Sequence, residues 1–142
     1  LQVVGGLTLA AAGMALAFPA ATEAIVGSLP QDKAGVASAV NDTTREVGAA
    51  VGIALLGSLM SSGYRRSVGD AFDSLPAAAA EAARDSVGAA LHVAQQAPES
   101  VRSGLVLTAR TGFAEGYSLA MMVGAALLVT TAAVVFRWFP KD

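Results

Sequence analysis

The sequence predicts an all-α membrane protein: three transmembrane helices, with short amphipathic helices in a long loop between the second and third. Three observations predict it. Hydrophobic residues make up 54% of the 142 residues and charged residues 14%, with a mean hydropathy of +0.58; soluble domains carry about 25% charged residues. Three stretches are almost free of charge: Val3 to Ile25, Val47 to Ser62 and Tyr117 to Phe136. Glycine and alanine recur every three or four positions along them, the spacing that lets helix backbones approach closely in lipid.

The same composition excludes several functions. Nine basic residues against eleven acidic ones, a net charge of −2, leave no basic surface for nucleic acid. Without cysteine there is no disulfide, no thiol catalysis and no cysteine-ligated metal. The single histidine, His92, builds neither a metal site nor a Ser/His/Asp set. The glycines sit in apolar helices rather than after strands, and no GxxxxGK[ST] cradle is present. The chain is therefore not expected to be an enzyme. It opens at Leu1 inside an apolar run, with neither an initiator methionine nor a basic leader, and is expected to be the C-terminal piece of a longer membrane protein.

The first span, about 3–26, has enough apolar residues to cross a hydrocarbon core of about 30 Å. Gly6, Ala10, Gly13 and Ala17 form a small-residue seam. Pro19 removes a backbone donor and clashes with the carbonyl of Ala15, so a kink is expected there. Glu23 follows it, either as a carboxylate at the membrane interface or as a protonatable group facing a cavity. Residues 27–34 make a short turn around Pro30, with Asp32 placed to cap the next helix. So short a connection makes the first two spans antiparallel neighbours.

The second span, about 35–62, starts at Gly35 with a charged end and finishes small and apolar. At 3.6 residues per turn, Asn41, Arg45, Gly48, Gly52 and Leu59 share one stripe. Gly48 and Gly52 form a GxxxG pair, and Gly57 continues the small-residue run. Glycine inside a soluble helix costs about 1 kcal/mol against alanine, so the pattern suits lipid rather than water. Arg45 and Glu46 mark the membrane boundary. Either both reach headgroups, or Arg45 turns inward to pair with an acid on another helix; Asp42, three residues earlier, is a local alternative.

Residues 63–112 are not a span. Five arginines and five acids, with Pro76 and Pro98, break the stretch into helices expected to lie over the bundle or along the membrane surface. Ser74 to Pro76 reads as the start of one helix continuing through Ala97, with Leu75, Ala79, Ala83, Val87, Leu91 and Ala94 as its apolar stripe. Within it, His92 reads as a solvated or interfacial residue rather than a pH sensor. Pro98 starts another helix that can run on into the last span. That span and its tail occupy 113–142. Gly112, Gly116, Ala120 and Gly124 make a ridge, and Phe136, Trp138 and Phe139 cluster at the far end with Arg137 and Lys141. The distribution of basic residues does not decide orientation.

The order Gly13, Pro19, Pro30, then Gly35-Val36-Ala37-Ser38, Asn41, Arg45, Gly48, Gly52, Ala54 and Gly57 resembles the end of a major facilitator superfamily transporter. More narrowly, it is similar to the fourteen-span drug:proton antiporters of the EmrB/QacA type. Gly112-Phe113-Ala114-Glu115-Gly116 resembles the family's approach to its last span. The chain departs at Ala15 and Ala39, where the family often has glycine, and Glu23 is outside the family pattern.

The resemblance implies spans twelve to fourteen of a multi-pass protein of the cell membrane. The 27–34 loop and the tail would be cytoplasmic, and the 63–112 loop extracytoplasmic. It implies export of hydrophobic or cationic small molecules in exchange for protons by alternating access, with no cofactor beyond the proton gradient. Its partners would be the lipid bilayer, the remaining transmembrane helices and the small-molecule substrate. Candidate transport or helix-interface residues are Asn41, Asp42, Arg45, Glu46 and Glu23. Candidate packing and kink residues are Gly13, Pro19, Gly35, Gly48, Gly52, Gly57, Gly116 and Gly124. The alternative is a non-transporting helical membrane anchor or assembly subunit associating through its GxxxG seams.

Overall fold

Helices account for nearly all of the computed structural model, which describes residues 2–138. Leu1, Phe139, Lys141 and the rest of the tail lie outside the described residues. The elements in order are α1 (Gln2–Gly27), a short 3-10 turn (Gln31–Lys33), α2 (Ala34–Val68), α3 (Ala77–Asp85), α4 (Val87–Gln96) and α5 (Glu99–Trp138). No strand occurs among the described residues. The chain divides into two compact units, 1–51 and 52–142, with α2 contributing to both.

The first unit is a hairpin of α1 and the first half of α2. Pro19 lies inside α1. The final carbonyls of α1, which have no partner further along a helix, are taken up by the turn. The Ser28 amide and hydroxyl donate to the carbonyl of Ile25 at 3.3 and 2.7 Å, and the Leu29 amide to that of Val26 at 3.4 Å. Asp32 is not the cap expected of it. It sits in the middle of the 3-10 turn, which leads straight into α2; the capping position is Pro30, whose carbonyl accepts from the Lys33 amide at 2.9 Å. A proline there has no amide left unpaired, and its fixed φ suits entry into a helix. Among the described residues of this unit only Ala37 and Asn41 are buried; α1 and the facing part of α2 carry exposed Val, Leu and Phe along their length.

In the second unit the rest of α2 crosses α5, and α3 and α4 cover the end of that pair. Val68 is the last residue of α2, because Gly69 takes a φ of +46°, open to glycine at little cost. Its amide still donates to the Arg65 carbonyl at 3.2 Å. Three successive turn bonds, Ala71 to Val68, Asp73 to Asp70 and Leu75 to Phe72, then carry the chain to Pro76. Pro76 and Pro98 stand just before α3 and α5, and each offers its carbonyl to two amides of the first turn.

The single helix expected over 75–97 is two. Ser86 is extended (φ −152°, ψ 133°), and its hydroxyl accepts from the Gly88 amide at 3.2 Å. Serine competes for backbone partners in this way, so it starts a new helix instead of continuing the old one. The break folds α4 back on α3. The buried cluster is then mostly alanine: Ala80, Ala83, Ala90, Ala94, Ala97 and Ala109, with Tyr64, Val68, Phe72 and Leu105. Phe72 is the largest side chain with no exposure, and it plugs the space that these small residues leave.

Candidate functional site

The predicted polar stripe of α2 begins among the buried residues of the hairpin. Ala37 is wholly buried and Asn41, one turn later, is 6% exposed. The Asn41 amide donates to the Asp42 carboxylate at 3.4 Å, a long contact. One further turn on, the Arg45 guanidinium carbon stands 4.4 Å above the ring of Phe18 on α1. Among the described residues no carboxylate pairs with Arg45. Asp42 turns to Asn41, while Glu46 and Glu23 are exposed. The stripe therefore brings together Asn41, Asp42 and Arg45, and adds Phe18, which sequence reasoning did not single out. Phe18 carried no periodic signal; its partnership follows from how α1 lies on α2.

The packing glycines divide. A methyl added at Gly13, Gly35, Gly48, Gly52 or Gly57 would meet nothing within 4 Å. Gly35 instead edges a shallow groove on α2 with Val36, Ala39, Val40, Thr43 and Thr44. At Gly124 the same methyl would touch Leu56 at 3.6 Å, an ordinary contact. At Gly116 it would lie 2.5 Å from the Met60 carbonyl oxygen and 2.8 Å from the Tyr64 amide. Gly63, opposite, is as tight, with Gly116 Cα at 2.8 Å from its added methyl, and Gly112 meets Val68 at 2.8 Å. The close crossing of α2 and α5 is thus Gly63 and Ser67 against Gly112 and Gly116. Gly63 and Ser67 are themselves a small-xxx-small pair, a signal present in the sequence beside the more obvious Gly48/Gly52.

Polar bonds hold this crossing at the end nearer α3. The Ser67 hydroxyl donates to the Glu115 carboxylate at 2.6 Å, and the Tyr64 hydroxyl to the Ala83 carbonyl at 2.7 Å. Arg65 pairs with Glu81 at 3.2 Å and also with Asp85. Arg84 bonds the Gly69 carbonyl at 3.2 Å and pairs with Asp73. His92 is exposed, and one of its ring nitrogens shares a hydrogen bond of 3.0 Å with Gln96 one turn later. No group of three or more His, Cys, Asp and Glu side chains able to hold a metal occurs among the described residues.

Among the described residues three helices, Val3–Gly27, Gln31–Val68 and Glu99–Trp138, are long and apolar enough to cross a bilayer. Their exposed apolar side chains form faces far larger than a water-soluble monomer carries. The class this defines is a multi-pass membrane protein.

Within that class the chain is similar to multidrug efflux proteins. It is 33% identical over 133 residues to the multidrug efflux pump LfrA of Mycolicibacterium smegmatis, covering 94% of this chain and 26% of that protein. It is 32% identical to the methyl viologen resistance protein SmvA of Salmonella typhimurium, over 97% of this chain and 27% of the relative. The multidrug resistance protein Stp of Mycobacterium tuberculosis is 29% identical over 99% of this chain and 28% of its own length. The chain thus spans about a quarter of the length of the curated relatives it matches. No protein-family profile and no solved structure matches it.

Proposed function

We propose that this chain supplies three membrane helices of a secondary active multidrug exporter of the major facilitator type, EmrB/QacA-like, working by alternating access in the cell membrane. The exporter moves hydrophobic or cationic small molecules outward in exchange for protons, with the gradient as its energy source and no bound cofactor. The observation that carries the reading is the likeness, over nearly the whole chain, to three proteins each named for drug efflux or resistance. One is named for resistance to methyl viologen, a flat aromatic dication, which supports the cationic class. Its partners are the lipid bilayer, the substrate and the remaining transmembrane helices, against which the exposed faces of α1 and α2 pack. The Pro30 turn faces the cytoplasm, and α3 and α4 lie outside.

Transport into inverted vesicles tests this reading. With the full-length protein, an imposed pH gradient is expected to drive accumulation of methyl viologen, and a protonophore to abolish it. Arg45→Ala is expected to slow accumulation several-fold while the amount of protein in the membrane stays the same. Accumulation indifferent to the gradient would remove proton exchange. Unchanged transport by Arg45→Ala would reduce Arg45 to a headgroup anchor.

A further inference from the structure

The contact between α1 and α2 at Phe18 concerns the one arginine of the hairpin, in the polar stretch Asn41-Asp42-Thr43-Thr44-Arg45-Glu46. A guanidinium is planar, delocalised and weakly hydrated, so it stacks on an aromatic face where a lysine ammonium would keep its water. The 4.4 Å separation is well inside the range, about 6 Å, over which a ring face attracts a cation. A long arginine near the membrane boundary otherwise extends to the lipid headgroups. Here the guanidinium carbon stands over the Phe18 ring, and no carboxylate among the described residues pairs with it. Phe18 immediately precedes Pro19, whose ring restricts the backbone beside it. The aromatic platform therefore stands beside the point where the α1 hydrogen-bond ladder lacks a donor.

We infer that Phe18 is a positioning residue for Arg45: its ring holds the guanidinium beside α1 and leaves N–H groups for an anionic group of the surrounding transporter. The inference rests on the proposed transport role of Arg45. Leucine at position 18 keeps an apolar side chain but has no ring face, so Arg45 is released toward the headgroups. Tyrosine and tryptophan keep the face, and tryptophan offers the stronger one.

The test is the initial rate of gradient-driven methyl viologen accumulation by the full-length protein, normalised to protein in the membrane, for a set of variants. Phe18→Leu is expected to slow transport about fivefold, the scale of a ring–cation contact at a partly exposed site. Phe18→Trp and Phe18→Tyr are expected to stay within about twofold of the parent. In an Arg45→Ala background, Phe18→Leu is expected to change nothing further, a non-additivity that a purely structural role would not produce. Should Phe18→Leu not reach the membrane, Phe18→Met replaces it, being apolar and ringless. Slowing by Arg45→Ala together with parental rates for Phe18→Leu overturns the positioning role alone. Parental rates for Arg45→Ala overturn the transport reading of Arg45, and the positioning role with it. Equal losses for leucine, tyrosine and tryptophan show that Phe18 acts by packing and also overturn the inference.

Discussion

The hydroxyl of Tyr64 donates to the carbonyl oxygen of Ala83 across 2.7 Å, joining the end of a membrane-length helix to the last turn of α3. Ala83 is among the last four residues of α3, whose carbonyls have no partner further along the helix. The bond is buried, so an unmet carbonyl there would lose water as well as its partner.

Tyr64→Phe keeps the ring and removes only that donor. Leaving a buried carbonyl unsatisfied costs about 1–3 kcal/mol. The expected outcome is lower thermal stability in detergent, with faster amide exchange concentrated in α3. Exchange unchanged in α3 would mean that the carbonyl finds water instead.

Gly116→Ala and Gly48→Ala are expected to part company in the isolated chain. At Gly116 the new methyl meets backbone atoms of α2, which cannot swing aside, so the helices must separate at a cost of about 1–3 kcal/mol. At Gly48 it meets nothing within 4 Å, and alanine is the better helix former by about 1 kcal/mol. Melting in detergent should therefore fall for Gly116→Ala and hold or rise for Gly48→Ala. If Gly48→Ala nevertheless impairs the export proposed for the full-length protein, the Gly48/Gly52 seam packs against its other helices.

Arg84 is expected to matter more than Arg65, although each pairs with two carboxylates. The Arg65 side chain is 46% exposed and its partners more so, and such pairs are worth about 0–1 kcal/mol. Arg84 is 23% exposed and also satisfies the Gly69 carbonyl at the end of α2. Arg65→Ala should therefore lower stability by less than about 1 kcal/mol, by an amount that shrinks in high salt. Arg84→Ala should cost about 1–3 kcal/mol and persist in salt. Equal, salt-sensitive losses would assign both residues to the surface.

Ser86→Ala removes the cap at the α3–α4 break. The expected loss is about 1 kcal/mol, with the first turn of α4 exchanging its amides sooner. Ser86→Asp, which keeps an acceptor, should restore the protection. No difference between alanine and aspartate would mean that packing of α3 on α4, rather than the cap, holds the break.

The helical architecture was legible because its cause is local. Runs free of charge, Pro30 in the turn, and Pro76 and Pro98 before helices leave marks in the sequence that need no tertiary information. The division at Ser86 was hidden because the apolar stripe runs through it unbroken: Ala83 and Ala94 are buried on either side of the break, as one helix would also bury them. At the candidate site, periodicity grouped Asn41 with Arg45 but could not supply Phe18, which lies on another helix. The glycines show the same limit. Spacing identifies which of them share a face, while the rotation of each helix decides that Gly63 and Gly116 meet backbone and Gly48 meets nothing.

The 40 residues of α5 form one unbroken rod of about 60 Å, twice the thickness of a hydrocarbon core. The charge-free part, 117–136, takes up about 30 Å of it, and the stem from 99 to 116 adds about 27 Å beyond. With α4 seated against that stem and α3 against α4, the rod is a lever. Leaning it by about 10° sweeps one tip about 10 Å past the other, so a modest rocking in the lipid becomes a wide displacement at the surface.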